Sequence, residues 1–328
     1  MTIKDVAARV GVTDMTVSRV VNGSGAVSEG VRQRVKEAIE ELGYVPSRLA
    51  RGLRSNRTHT IALMVTDVTN PFFTTVARGV EDAASDRDHL VLLCNTDESE
   101  DEELRYLEML AQQSVDGVLL VPARSGTRSL EFAAKRGLPV VILDRRVPTH
   151  EYSVVRCDAR TGAEEMARYL VSLGHRNFAV LAGPVGVTTS DDRVDGFLDA
   201  LGELRDRVSV SHGPLSPESG RHRAIEAMAI EPRPTAIFGL NNFVTIGALQ
   251  GLNSLGIRVP EDIALVGFDD LPPAMVGQPF LTVVSQPAYE MGHRAVELLL
   301  EQLSHPGNPP QEIVLPTELL VRRSSGGA

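Results

Sequence analysis

The chain has 328 residues, of which 42% are hydrophobic and 23% charged, with a formal net charge of −10 at pH 7. That length is enough for two or three domains with cores of their own, and no apolar run approaches the ~18 residues of a membrane helix. The amino terminus lacks a basic-then-apolar leader, and Cys94 and Cys157 have no metal-ligand spacing, so a cytoplasmic protein with buried, reduced thiols is expected.

From Thr2 to Gly23 the pattern is that of two short helices joined by a tight turn. Ile3, Val6, Ala7 and Val10 make one apolar stripe, with Thr2 and Asp5 spaced as a capping box. Gly11 breaks this helix, and Thr13 caps the next, which carries Val17, Val20 and Val21 inward. Such a pair is either an ordinary αα-hairpin or a helix-turn-helix, whose second helix enters the DNA major groove amino end first. On the second reading Asp14, Met15, Thr16, Ser18 and Arg19 face DNA, with Thr2 and Asn22 as flanking candidates. Val27-Ser28-Glu29 opens a third helix, with Val31, Val35, Ala38, Ile39 and Leu42 on one face and Gly43 as its stop.

After Tyr44-Val45-Pro46 comes a basic stretch, Ser47-Arg48-Leu49-Ala50-Arg51-Gly52-Leu53-Arg54-Ser55-Asn56-Arg57. Residues 1–57 hold ten Lys/Arg against six Asp/Glu, so residues 58–328 carry −14 of the total −10. A basic head on an acidic body suits a DNA binder with a separate sensing domain. The run Thr16-Val17-Ser18-Arg19-Val20-Val21-Asn22-Gly23, together with this stretch, resembles the head and hinge of the lactose-repressor (LacI/GalR) family of transcription regulators. The resemblance implies that residues 47–57 form a hinge helix. A short helix with Gly52 inside is marginal in water, so it would order only on DNA and beside a second copy. Leu53 is then a minor-groove wedge, Arg48, Arg51 and Arg54 are phosphate contacts, and Ala50 completes the DNA-facing set. The plain alternative is a flexible basic linker.

From Thr60 strands and helices alternate. Strand-like runs are Ile61–Thr66, His89–Asn95, Gly117–Pro122, Pro139–Leu143, Phe178–Ala182, Thr235–Leu240 and Ile263–Phe268. Amphipathic stretches between them include Val76–Ala84, Glu102–Gln113, Ala163–Leu173, Phe197–Leu201 and Phe243–Leu255. This alternation predicts parallel sheets covered on both faces, with ligands beyond the carboxyl ends of the strands. No internal repeat is legible. The resemblance implies the fold of a type I periplasmic sugar-binding protein: two α/β subdomains, three crossovers near residues 158–160, 285–287 and 316, and a ligand between them. The organisation expected is a helix-turn-helix domain (1–46), a hinge (47–57) and an effector-binding and dimerisation domain (58–328). The last divides into about 58–158 plus 287–316, and about 159–285 plus 317–328.

Carried over position by position, the family's effector contacts fall on Asn70, Phe72, Phe73, Asp144, Arg193, Asn241 and Asp269, with Gln286 as a further match. The chemistry suits a sugar. Aromatics stack on its apolar face, amides donate and accept, an arginine fork grips two oxygens, and a carboxylate accepts from two hydroxyls. Phe72 and Phe73 could equally be core aromatics that start a helix, and Asn70 only a cap. Leu215 stands where relatives often place a stacking aromatic, and Asn242 where many have Asp. Arg124, at a strand end, is either a solvated loop charge or a second cleft arginine, which would favour a sugar acid or sugar phosphate.

Enzyme signatures are missing: there is no Gly-Lys pair, GxGxxG, GxSxG or HExxH. No cofactor or metal is implied. The sequence therefore predicts a homodimeric, DNA-binding transcription regulator, most simply a repressor, that binds a pseudo-palindromic operator. Its effector would be a sugar, sugar acid or sugar phosphate. The alternatives are a corepressor-dependent regulator of a non-sugar metabolite, a transport-associated sugar-binding protein, and an enzyme fused to a helix-turn-helix.

Overall fold

The computed structural model describes residues 1–21, 23–44, 57–124, 127–272 and 279–327. The stretch expected to be a hinge, with Arg48, Ala50, Arg51, Leu53 and Arg54, lies outside the described residues except for Arg57, as does Asn22. The chain divides into two compact units, Met1–His59 and Thr60–Ala328.

The first unit is three helices: α1 (Ile3–Val10), α2 (Asp14–Val21) and α3 (Glu29–Leu42). The Asp5 carboxylate accepts from the Thr2 amide at 2.7 Å and the Thr2 hydroxyl at 3.0 Å, which ties down the start of α1. The Thr13 hydroxyl accepts from the Thr16 amide at 3.3 Å at the start of α2. Gly11 and Gly43 end α1 and α3 in the left-handed region, at φ 74° and 59°, a conformation glycine adopts without a Cβ penalty. Val6, Ala7, Val17, Val20, Val35 and Ala38 are buried together, so the stripes read from the sequence meet in one small core.

The second unit begins with β1 (Thr60–Val65), α4 (Pro71–Ser85), β2 (Leu90–Asn95), α5 (Glu100–Gln112), β3 (Gly117–Leu120), α6 (Thr127–Arg136), β4 (Val140–Leu143) and β5 (Ser153–Cys157). It continues with α7 (Ala159–Ser172), β6 (Phe178–Ala182), α8 (Thr188–Leu201), β7 (Val208–His212), α9 (Pro217–Ala227), β8 (Ala236–Gly239), α10 (Asn242–Ser254) and β9 (Ala264–Phe268). Last come β10 (Thr282–Ser285), α11 (Ala288–Ser304), β11 (Glu312–Leu315) and β12 (Glu318–Leu320).

The described strands form two six-stranded sheets, ordered β11-β5-β4-β3-β1-β2 and β12-β10-β9-β8-β6-β7. The first is parallel throughout; in the second only the β10–β12 pair is antiparallel. The inner strands are buried along their length, as sheets with helices on both faces require. The chain passes between the sheets three times, after Cys157, after Ser285 and after Leu315. Sequential strand–helix units in the same order give each sheet one carboxyl edge at which its turns gather.

Glycines let neighbouring helices touch backbone to backbone. A Cβ at Gly79 of α4 would lie 2.0 Å from the Tyr289 carbonyl of α11, and one at Gly292 of α11 would lie 2.1 Å from the Val76 carbonyl of α4. Neither clash can be relieved by a side-chain rotation, because both obstacles are backbone atoms. Gly79→Ala is therefore expected to cost about 1–3 kcal/mol through overpacking, despite Ala's better helix propensity. Thermal denaturation followed by circular dichroism checks this, and an unchanged Tm would show that α4 and α11 separate freely.

Candidate functional site: a cleft between the two sheets and an exposed recognition helix

Between the carboxyl edges of the two sheets lies a cavity of about 350 Å³, at the small end of the roughly 300–1,000 Å³ of small-molecule sites. The first subdomain contributes Thr66, Asp67, Asn70, Phe72 and Phe73 from the β1–α4 turn, Asp97 and Glu98 after β2, and Asp144 and Arg145 after β4. The second contributes Pro184 after β6, Thr189 and Arg193 of α8, Pro214, Leu215 and Ser216 after β7, Asn241 before α10, and Asp269 after β9. Gln286, between β10 and α11, completes the wall from a crossover.

Local folding aims several of these groups. Asn70 is the N-cap of α4: its Oδ1 accepts from the Phe72 amide at 3.0 Å, with Pro71 as the first helical residue. Asn241 caps α10 in the same way, accepting from the Val244 amide at 2.8 Å. Asp144 and Asp269 occupy matching places at the ends of β4 and β9. Each is left-handed, at φ 64° and 70°. Each amide donates at 2.9 Å to the next strand of its sheet, to the Val155 and Val284 carbonyls.

Both acids are buried, which pushes their pKa values up. Arg145 and Arg193 oppose the shift at Asp144, and Arg193 with Gln286 opposes it at Asp269. The Arg193 guanidinium lies 3.8 Å from Asp269 Oδ2 and 3.8 Å above the Phe268 ring, and its Nη1 donates to the Leu240 carbonyl at 2.6 Å. Gln286 Nε2 donates to Asp269 Oδ1, and its Oε1 accepts from the Cys157 thiol, so the cavity wall is bonded to two of the crossovers.

Contacts also span the cleft. Asn242 Nδ2 donates to Asn70 Oδ1 at 2.9 Å. Arg146, after β4, pairs with Asp192 of α8, and its amide donates to the Thr188 hydroxyl at 2.9 Å.

Of the effector contacts expected from the sequence, Asn70, Phe72, Phe73, Asp144, Arg193, Leu215, Asn241, Asp269 and Gln286 come together in this wall. Arg124 does not: it is exposed and outside the wall. The neighbouring carbonyls of Pro122 and Ala123 instead accept from Arg145 at 2.6 and 2.8 Å, so the arginine of this corner comes from the next strand end. The alternatives for Asn70 and the two phenylalanines merge. Asn70 is a cap and also bonds across the cleft, while Phe72 and Phe73 pack edge to face at 5.0 Å, buried in the core and in the cavity wall alike.

Sequence reasoning places Asp67 and Arg145 in strand-end turns that converge on a cleft without naming them as contacts, and it missed Thr66, Asp97, Glu98, Pro184, Thr189, Pro214 and Ser216. Arg145 carried a usable signal, since it follows Asp144 at a strand end. Glu98, in a turn with no periodicity, carried none. Two pairs of adjacent carboxylates, Asp269-Asp270 and Asp191-Asp192, diverge rather than converge: Asp270 is held by Arg322 at 2.6 and 2.7 Å while Asp269 lines the cavity, and Asp191 accepts from the Gly186 amide at 3.1 Å while Asp192 pairs with Arg146.

In the first unit α2 turns Val17 and Val20 inward and leaves Asp14, Met15 and Arg19 exposed, with Thr16 and Ser18 half-buried beside them. Met15 is 52% exposed, and Arg19 Nη2 lies 3.7 Å from its sulfur. Thr2 is exposed at the start of α1. An exposed helix face carrying a thioether, a carboxylate and a guanidinium, backed by a three-helix core, can enter a major groove.

A helix-turn-helix head on a cleft-bearing body of two largely parallel sheets defines a ligand-responsive transcription regulator. Residues 2–47 match the lacI family of bacterial regulatory proteins, and residues 167–325 match the periplasmic binding protein-like domain. The chain is 35% identical over 328 residues to the HTH-type transcriptional repressor PurR of Proteus mirabilis (strain HI4320), covering 98% of this chain and 96% of that one. Among solved structures, the complex of the transcriptional regulator CelR with cellobiose shares 35% identity, with 99% of both chains covered and a TM-score of 0.74. The lac repressor dimer bound to operator and the anti-inducer ONPF shares 26% identity over 99% of both chains, with a TM-score of 0.88. The chain belongs to the lacI family: it is a DNA-binding transcriptional regulator and not an enzyme.

Proposed function

We propose that this chain is a repressor whose operator affinity is set by a sugar or sugar derivative bound between the two sheets. The observation that carries the effector reading is a set of orphaned polar atoms in the cavity wall. Thr66 Oγ1, Asp144 Oδ1, Arg145 Nε and Arg193 Nε are buried without a hydrogen-bond partner among the described residues. Buried polar groups are ordinarily satisfied, so a ligand that both donates and accepts is the natural complement. The cellobiose complex of a 35% identical relative supports a carbohydrate as that ligand.

On this reading residues 1–46 contact the operator through Asp14, Met15, Thr16, Ser18 and Arg19, residues 47–57 form the hinge, and residues 58–328 hold the effector and pair two chains in the cytoplasm. Leu90, Leu92 and Leu93, 41–52% exposed on the edge strand β2, are the apolar surface offered for pairing. No helix of the described residues is long and apolar enough to cross a membrane. A two-fold dimer implies an operator of two inverted half-sites.

The test is selection of operator sites from random duplex DNA by the full-length chain, followed by titration with a library of neutral sugars, sugar acids and sugar phosphates. Inverted half-sites and a ligand that shifts operator affinity by roughly 5–150-fold are expected, the span of ordinary allosteric coupling. A carbohydrate library without effect on operator affinity or on Tm would refute the effector assignment.

A further inference from the structure

We propose that Glu98 sets the charge of the molecule this cleft accepts: by neutralising Arg145 it makes the effector an uncharged polyhydroxylated compound and excludes its anionic derivatives. The inference rests on the effector reading above and deepens it.

Arg145 is 2% exposed, the more buried of the two arginines in the cavity wall. Its Nη1 and Nη2 bond to the two Glu98 carboxylate oxygens at 2.7 and 2.5 Å, and Nη1 also donates to the Pro122 and Ala123 carbonyls. The guanidinium fork is thereby filled, and its charge is cancelled by a carboxylate that lines the same cavity. Arg193 is matched in turn by Asp269 and covered on one face by Phe268. Asp67 and Asp97 line the wall as well. Counted with Glu98, Asp144 and Asp269, five carboxyl groups face the two arginines.

A carboxylate or phosphate entering this space loses its hydration and meets no cation without a carboxylate already beside it. An ammonium group is unsuited to the position beside the two arginines for a different reason. It cannot accept a hydrogen bond, so the orphaned Nε–H groups of Arg145 and Arg193 stay unsatisfied. A hydroxyl both donates and accepts. Two neighbouring hydroxyls can give a proton to Asp144 Oδ1 and take one from either Nε–H, which satisfies donors and acceptor together. Arg124, the residue that would have favoured an anion, is outside the wall.

The experiment compares full-length wild type, Glu98→Gln and Glu98→Asp by calorimetry and thermal shift. The ligands are ribose, glucose and cellobiose, each with its aldonic acid, plus ribose 5-phosphate and glucose 6-phosphate. Wild type should bind a neutral member and bind its acid at least tenfold more weakly. Glu98→Gln, which leaves Arg145 opposed only by Asp144 at 4.0 Å, should shift that ratio at least tenfold toward the acid, and Glu98→Asp should keep the wild-type preference. A wild type that prefers the acid, or a Glu98→Gln ratio equal to wild type, overturns the assignment and leaves the carbohydrate reading standing. Where wild type is silent toward these members the comparison is repeated with the neutral and anionic forms of the carbohydrate library, and silence toward all of it overturns the carbohydrate reading and this inference with it. The wild-type ratio is decisive by itself, so the inference stays open to refutation even where a variant does not fold.

Discussion

Deletion of residues 1–59 is expected to abolish operator binding and to leave effector binding unchanged. The first unit, Met1–His59, has its own buried core of Val6, Ala7, Val17, Val20, Val35 and Ala38, and the exposed face of α2 belongs to it alone. The body beyond it carries a strong negative charge, −14 over residues 58–328, and repels a phosphate backbone. For the full chain, log K should fall with log salt at about 0.9 for each phosphate neutralised, a dependence carried by basic residues of the head and hinge. The truncated body should still gain Tm from the effector. A body that retarded operator DNA in a mobility-shift gel would place the DNA contacts elsewhere.

The second large effect is in the cleft. Asp269→Ala and Arg193→Ala should each cut effector affinity at least tenfold while operator binding without effector survives. The two groups sit 3.8 Å apart, each 6–7% exposed. Removing one leaves the other buried and uncompensated, which costs about 2–5 kcal/mol. Asp269→Ala also strands the Gln286 amide that bonds both Asp269 and the Cys157 thiol, so the loss reaches the crossover segments. Calorimetry of the variants with the effector found by library titration gives the number, and an affinity within twofold of wild type would remove the residue from the site.

Much of the fold was legible because the inner strands are short apolar runs and the helices are amphipathic. The seven strand-like runs read from the sequence correspond to β1, β2, β3, β4, β6, β8 and β9. What escaped has physical reasons. β5, Ser-Val-Val-Arg-Cys, has its apolar run cut by Arg156; β7, Val-Ser-Val-Ser-His, is a half-exposed edge whose alternation is diluted by serine; β10, β11 and β12 are three or four residues long, and β11 and β12 reach their sheets only through the crossovers. Helix α8 starts at Thr188, nine residues before the stretch its apolar period marks, because its first turns supply Thr189 and Arg193 to the cavity.

The same cause hid the internal repeat. The two sheets share one strand order and place Asp144 and Asp269 at matching corners, yet the residues around them differ because each lines a different wall. Position was readable at Arg124 and direction was not: a strand end can be named from the sequence, but which of three consecutive side chains turns inward depends on packing. Arg145 took that place because Glu98, far away in sequence, was there to receive it.

The left-handed backbone at Asp144 and Asp269 also bears on how such a receptor could change its ligand over evolutionary time. At φ 64° and 70° a β-branched or bulky side chain carries a steric penalty, and only Gly, Asn and Asp are well tolerated. Single substitutions that keep the corner intact are thus confined to a very small alphabet, and two of its three members remove the carboxylate. New specificities are reached more readily through Leu215, Thr189 or Phe72, which sit on ordinary backbone. The cleft has a fixed polar anchor at one corner of each sheet and an adaptable remainder, so that divergence would remodel which ring is held before it altered how a hydroxyl is held.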